Sequence, residues 1–274
     1  MKTFNQSKVL IESSRKGSNP GGFCTYTDER RTFPGYFKYC TGARLPHSSY
    51  LKPEHQPIYE AVTFELARRL GLKTPNFFVL LNNKGNLIFD ESNKSLLNGH
   101  SGRFCYFFSE KIDEPHNVQD LDKIGNKLVG DEKVYLDSLG ISDVIGKRQN
   151  YMVLPKNGEF EVSYIDLGCS FVYATDGIIR LPHSLENYLR NGSQKKDKCN
   201  LKNKSIIGAD NNSLVNLDEL VYHFNGLTVP CLNPFSRVPI SNLISSDEIN
   251  EIDQYLVHGL CQSLHEYKEE GLLV

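Results

Sequence analysis

The segment Ser163-Tyr164-Ile165-Asp166-Leu167-Gly168 places a carboxylate and a glycine directly after a β-rich run. An aspartate leaving a strand end can chelate a metal ion, and Gly168 permits the sharp turn that presents it. The alternative is an acid in a surface turn. Upstream, Gly140-Ile141-Ser142-Asp143-Val144-Ile145-Gly146-Lys147-Arg148-Gln149-Asn150 leads into another strand. Asn150 can supply a neutral metal oxygen beside Asp166, and Asp143 can orient an attacking hydroxyl. Equally, Asn150 reads as a turn former and Asp143 as a helix cap.

The N-terminal part offers groups suited to phosphate. Gly17, Ser18, Asn19, Gly21 and Gly22 stand in a glycine-rich turn after Arg15 and Lys16. Without a Cβ, such residues let backbone N–H groups approach an anion closely, although a plain hairpin turn has the same composition. Lys38 lies in an apolar strand between Phe37 and Tyr39. It reads either as a solvent-facing lysine or as a cleft cation that meets the α and β phosphates. A carboxylate on the next helix decides between these, and Glu60 stands in the first turn of that helix; otherwise Glu60 is a surface acid. Wrapping phosphate, gripping it with a cation, holding a metal and positioning a hydroxyl are together the requirements of phosphoryl transfer.

These groups need a sheet and helices to carry them. Strands are expected over 8–13, 23–27 and 36–40, forming an antiparallel sheet with the glycine turn at one end. Ile58, Val62, Leu66 and Leu70 recur every fourth residue, which predicts an amphipathic helix. It ends where Gly71 supplies a C′ position and Pro75 blocks continuation. Segments 77–81 and 86–89 read as a hairpin, and 103–109 as an aromatic strand near a lobe boundary. Helices follow at 118–128 and 133–139, then extended pieces at 151–154 and 161–165, then helices at 184–189, 217–224 and 247–267. Ser245 or Ser246 can cap the last helix, which reads as a packing element.

At 274 residues the chain can form one large domain or two modest lobes. Its 39% apolar and 23% charged residues indicate a compact globular protein, and a net charge of -2 supplies no global attraction to nucleic acid or membrane. The first 12 residues lack the apolar run of a signal peptide, and no later run approaches the roughly 20 apolar residues of a spanning helix. The expectation is a protein made in the cytoplasm, with delivery into another cell through a dedicated secretion machine left open. Seven dispersed cysteines without a C-x-x-C pair read as reduced, small buried side chains. The Lys-rich segment 190–204 reads as a solvated insertion or a dock for an acidic ligand, and His47, His55 and His183 as surface residues.

In these motifs the chain resembles the HipA-like bacterial kinases, whose relatives include phosphatidylinositol-kinase-like effector kinases. The resemblance rests on residues 15–22, Lys38, Glu60-Ala61-Val62 through Gly71 to Pro75, Asp143-Val144-Ile145-Gly146 with Asn150, and Ile165-Asp166-Leu167-Gly168. It spans roughly residues 8–175 in scattered pieces. It implies an α+β, two-lobed protein-kinase-like fold: an antiparallel nucleotide-binding lobe over 1–108 and a mainly helical catalytic lobe over 109–274.

It further implies that Gly17, Ser18, Asn19, Gly21 and Gly22 cover the phosphates of ATP while Lys38 grips them and Glu60 braces Lys38. Asp143 is then the acid-base residue, and Asn150 and Asp166 hold Mg2+. The expected activity is Ser/Thr protein kinase, with a protein substrate; the alternatives are a lipid or small-molecule kinase and a nucleotide-binding pseudokinase serving as an interaction module or toxin-like component. Three departures bear on Asp143. Its spacing to Asn150 exceeds D-x-x-x-x-N, no H-R-D is present, and Leu167 replaces the phenylalanine of D-F-G.

Overall fold

A computed structural model describes residues 7–14, 21–39, 50–82, 87–89, 105–116, 118–132, 136, 139, 141, 144, 147–167, 226–232 and 235–256. The glycine-turn residues Gly17, Ser18 and Asn19, the Asp143 candidate, the Lys-rich segment and the helices expected at 184–189 and 217–224 lie outside the described residues.

Buried and outward-facing residues alternate along β1 (Ser7–Ser14) and β2 (Gly21–Thr27), with Leu10 and Phe23 on the outward side, and β3 is Thr32–Lys38. β4 (Phe77–Leu81) is apolar throughout and β6 (Cys105–Glu110) is so over its first four residues, because both faces of that part of the sheet are covered. With β5 (Leu87–Phe89), β9 (Thr228–Leu232) and β10 (Ser236–Pro239) they make an eight-stranded sheet in the order β10-β9-β4-β6-β3-β2-β1-β5. Pairing is antiparallel except for β1 with β5 and β4 with β9. The molecule is thus a mixed α+β structure built on a large, mostly antiparallel sheet. Two strands from beyond residue 225 complete the sheet that residues 7–110 begin.

The expected hairpin between β4 and β5 does not form. Both edges of β4 are occupied, by β6 and β9, so its backbone has no ladder left to offer, and β5 instead pairs in parallel with the open edge of β1.

Helix α1 (Gln56–Arg69) ends as its sequence predicts. Gly71 adopts φ 83°, its N–H donates to Arg68 O at 3.0 Å and that of Leu72 to Ala67 O at 2.9 Å, closing a Schellman motif. The amphipathic reading of this helix fails, however: Gln56 through Ala67 are all buried, including Glu60, Thr63 and Glu65. The sheet takes one side, with Phe64 against Phe77 and Phe107, and chain from beyond residue 225 contacts other sides.

Helix α2 (Leu121–Asp131) packs on the hairpin of β7 (Tyr151–Lys156) and β8 (Glu159–Tyr164). Gly125 allows the approach, since a Cβ there would stand 2.5 Å from the Tyr151 ring. α3 (Ser246–Leu256) is capped by Ser245, whose Oγ accepts the Glu248 N–H at 3.3 Å while its own N–H donates to Glu248 Oε2 at 2.9 Å. The remainder of the expected 247–267 helix lies outside the described residues. No helix among the described residues is long and apolar enough to cross a membrane.

Two apolar clusters fill the interior. One joins α1, β4, β6 and β9 to the β7/β8 hairpin; the other, rich in aromatics, lies on the opposite sheet face around Tyr26, Phe37, Tyr106 and Phe108. Cys24, Cys105 and Cys231 are free thiols in these interiors, and burial pushes each above its usual pKa, in keeping with small inert side chains.

Candidate functional site

Strand alternation decides where Lys38 points. It pairs with Gly21 on one side and Phe107 on the other, so it shares a sheet face with Phe23, Tyr36 and Phe107 rather than with buried Phe37. That face is the one α1 covers at its β4/β6 end. Lys38 is 3% exposed, which overturns the solvent-facing reading, and its Nζ lies 5.7 Å from the Phe107 ring centroid.

Two carboxylates receive the ammonium. Nζ donates to Glu60 Oε1 at 2.5 Å and to Asp166 Oδ1 at 2.7 Å. Glu60 is itself only 3% exposed, so it is no surface acid. A buried ion pair of this kind persists only when each charge has close partners, because removing either from water is expensive. Asp166 is the most solvent-accessible member of this triad.

The β7/β8 hairpin sets Asp166. Asn157 and Gly158, at φ 51° and 85°, make its tight turn, and β8 ends at Tyr164, two residues before Asp166. The Ile165 N–H donates to Asn150 O at 3.0 Å and the Tyr164 N–H to Lys73 O at 2.8 Å. Asn150, buried at the end of the 3-10 turn Arg148–Asn150, thus stands across from the residue preceding Asp166.

Arg148 holds that turn, a role the sequence did not signal because an arginine in a polar loop has no distinguishing pattern. Its guanidinium donates to Glu114 Oε1 at 2.5 Å, Asp122 Oδ1 at 2.8 Å and Tyr151 O at 2.7 Å, and stacks 5.0 Å from the Tyr151 ring centroid. Glu114 Oε1 also accepts the Val153 N–H at 2.6 Å.

Of the glycine-turn candidates, Gly21 and Gly22 fall within β2, opposite Lys38 and Phe37. Gly21 has a packing reason of its own, since a Cβ would meet Phe37 O at 2.2 Å. The ends of β1 and β2 that bracket residues 15–20 lie at the Lys38 end of the sheet. Lys38, Glu60 and Asp166 thus meet directly, Asn150 adjoins them through the backbone, and Gly21 borders Lys38.

His55 corrects the expectation of a surface histidine: its Nδ1 lies 2.6 Å from Oε1 of the fully buried Glu248. No family model matches the chain, and no curated relative matches it.

Among the described residues no group of three or more His, Cys, Asp or Glu side chains could hold a metal ion. A magnesium site does not require one, because Mg2+ commonly takes one or two protein oxygens and completes its shell with water and substrate phosphate. Asp166 and Asn150 have the oxygen chemistry for that arrangement. A roomier concavity of about 760 Å3, bordered by Arg68, Thr74 and Asn76, includes none of these residues, and its Lys73 and Lys156 both close onto Glu161.

Proposed function

We propose that this protein is an ATP- and Mg2+-dependent phosphotransferase, acting as a Ser/Thr protein kinase on a protein hydroxyl. The observation that carries the reading is Lys38 held between a helix carboxylate, Glu60, and a strand-end carboxylate, Asp166. A β3 lysine paired to a helix glutamate, beside a metal-binding aspartate, is the arrangement that kinases use to grip and neutralise phosphates. The resemblance to HipA-like kinases points the same way and is the sole ground for a protein acceptor and for a two-lobed division near residue 108.

In this reading Glu60 fixes the Lys38 ammonium where it can donate to phosphate oxygens, and Asp166 with Asn150 holds Mg2+. The metal supplies charge neutralisation on the phosphates when bound. Phe23, 46% exposed and packed edge-to-face on Tyr36 at 5.4 Å, lies on the Lys38 face and offers a surface for an aromatic base. Asp143 keeps its role from the resemblance, as the residue that orients the acceptor hydroxyl.

The test is incubation of purified protein with γ-labelled ATP and Mg2+, alone and with a protein mixture, beside Asp166→Asn. Labelled protein that depends on Asp166 is the expected result. Absence of transfer by the wild type, with ATP nonetheless bound in calorimetry, would turn the reading to a pseudokinase.

A further inference from the structure

Glu60 can brace Lys38 only while α1 keeps its rotation and height above the sheet, and the contacts that fix α1 come from far along the chain. One residue before Glu60, the Tyr59 hydroxyl donates to Glu248 Oε1 at 2.5 Å. The same carboxylate oxygen lies 2.6 Å from His55 Nδ1, just ahead of the helix. Glu248 is in turn locked by the Ser245 N–H and hydroxyl on its other oxygen, at 2.9 and 2.8 Å. One and a half turns after Glu60, Glu65 is ion-paired with Arg237, which also donates to Thr228 O at 2.6 Å and to Thr228 Oγ1 at 2.9 Å.

These ties are independent of one another. Tyr59 and Glu65 are 189 and 172 positions from their partners, and they leave the helix in directions about 100° and 140° away from Glu60. A rotation of α1 that withdraws Glu60 from Lys38 therefore breaks both. The ties are also costly to abandon, because the buried Glu65 already has one oxygen, Oε2, without a hydrogen-bond partner. Losing Arg237 would take from this buried carboxylate its directly paired cation and leave it only the nearby charge of Arg68.

We infer that the segment 228–256 is a built-in brace on α1, with Tyr59, Glu65, Arg237 and Glu248 as positioning residues that set Glu60 against Lys38. The regulatory consequence rests on the phosphotransferase reading: anything that draws this segment off α1 switches the site off without touching it. The brace itself does not depend on that reading.

The test uses the full chain with Tyr59→Phe and Arg237→Gln, and Glu60→Gln as control. Two readouts are followed, acylation of Lys38 by an amine-reactive reagent, located by mass spectrometry, and amide exchange of α1 relative to β7 and β8. Both brace variants are expected to raise Lys38 acylation about tenfold, the scale of one lost charge-assisted hydrogen bond, while β7 and β8 stay protected. Phosphoryl transfer at saturating ATP falls with them.

Unchanged Lys38 acylation in both variants, with the control elevated, overturns the brace. So does protection lost evenly across the chain, which marks a loss of global stability instead. If acylation responds as expected but the wild type transfers no phosphate, the brace stands and the phosphotransferase reading falls. If transfer occurs and neither variant alters it or the acylation, the reverse holds.

Discussion

Lys38 donates to Asp166 across 128 positions of chain, at 2.7 Å, while holding Glu60 with the same ammonium. Three charges in one enclosed place make the site sensitive to the loss of any one. Lys38→Met removes the cation from a buried glutamate and is expected to destabilise the fold by about 3–5 kcal/mol. Glu60→Gln leaves Lys38 its Asp166 partner and costs about 1–3 kcal/mol. The double variant should lose less than the sum, with a coupling of about 0.5–3 kcal/mol in urea unfolding. Strict additivity would show that Lys38 and Glu60 do not act as a pair.

Asp166→Asn keeps a hydrogen-bond acceptor for Lys38 but removes the charge proposed to hold Mg2+. The fold should survive, as judged by its thermal transition. Phosphoryl transfer should fall on the order of a hundredfold or more, the scale of removing one group that stabilises transition-state charge. Recovery of full activity at saturating Mg2+ would take Asp166 out of the proposed mechanism.

Glu248 gives the molecule a defined acid sensitivity. Burial pushes its carboxyl up, but hydrogen bonds from His55, Tyr59 and Ser245 outweigh that and bring it to about 2, below its ordinary 4.5. A depressed carboxyl contributes stability above its unfolded value and loses it as protons bind. This contribution is therefore complete above about 4.5 and disappears as the pH falls toward 2. Its size is on the order of 3 kcal/mol. Thermal transitions followed from neutral pH to pH ~2 should drop more steeply for the wild type than for Glu248→Gln. Parallel curves would contradict the assignment.

Gly125→Ala sets helix propensity against packing. Alanine favours an exposed helix interior by about 1 kcal/mol over glycine. Here its Cβ would lie 2.5 Å from Tyr151 Cε2 and 2.9 Å from Val153 Cγ2, and both residues are fully buried. Packing should win, with a net loss of about 1–3 kcal/mol in denaturant unfolding. A stabilised variant would mean that α2 can lift from β7 at no cost.

Local signals in the chain were read correctly where local chemistry suffices. Aromatic content marked β2, β6 and the second half of β3, whose residues 32–35 lie outside the expected 36–40 strand; extended runs marked β1 and the β7/β8 pair, Gly71 and Pro75 marked the end of α1, and serine before Asp247 and Glu248 marked the start of α3. Partner choice was less legible. Segment 86–89 looked like the second arm of a hairpin, yet its core pairs with β1, because hydrogen-bonding edges are claimed by whichever strand reaches them in three dimensions. The periodicity of α1 spoke for one wet face, but strands and helix from beyond residue 225 dried it.

The amino-acid sequence by itself determined which residues stand at strand ends and in strands, including Lys38, Asn150 and Asp166, and that Glu60 lies in a helix, although that helix begins at Gln56 and so carries Glu60 past its first turn. Backbone preferences and capping act over a few residues, so they are written in a few residues. Only the tertiary structure decided that Lys38 is buried, that it serves two carboxylates at once, and that Glu248 and Arg237 hold the helix carrying one of them. Each of those contacts depends on sheet register and on strands laid side by side from distant parts of the chain. A lysine or glutamate bound for such a place is spelled in the same way as one bound for water.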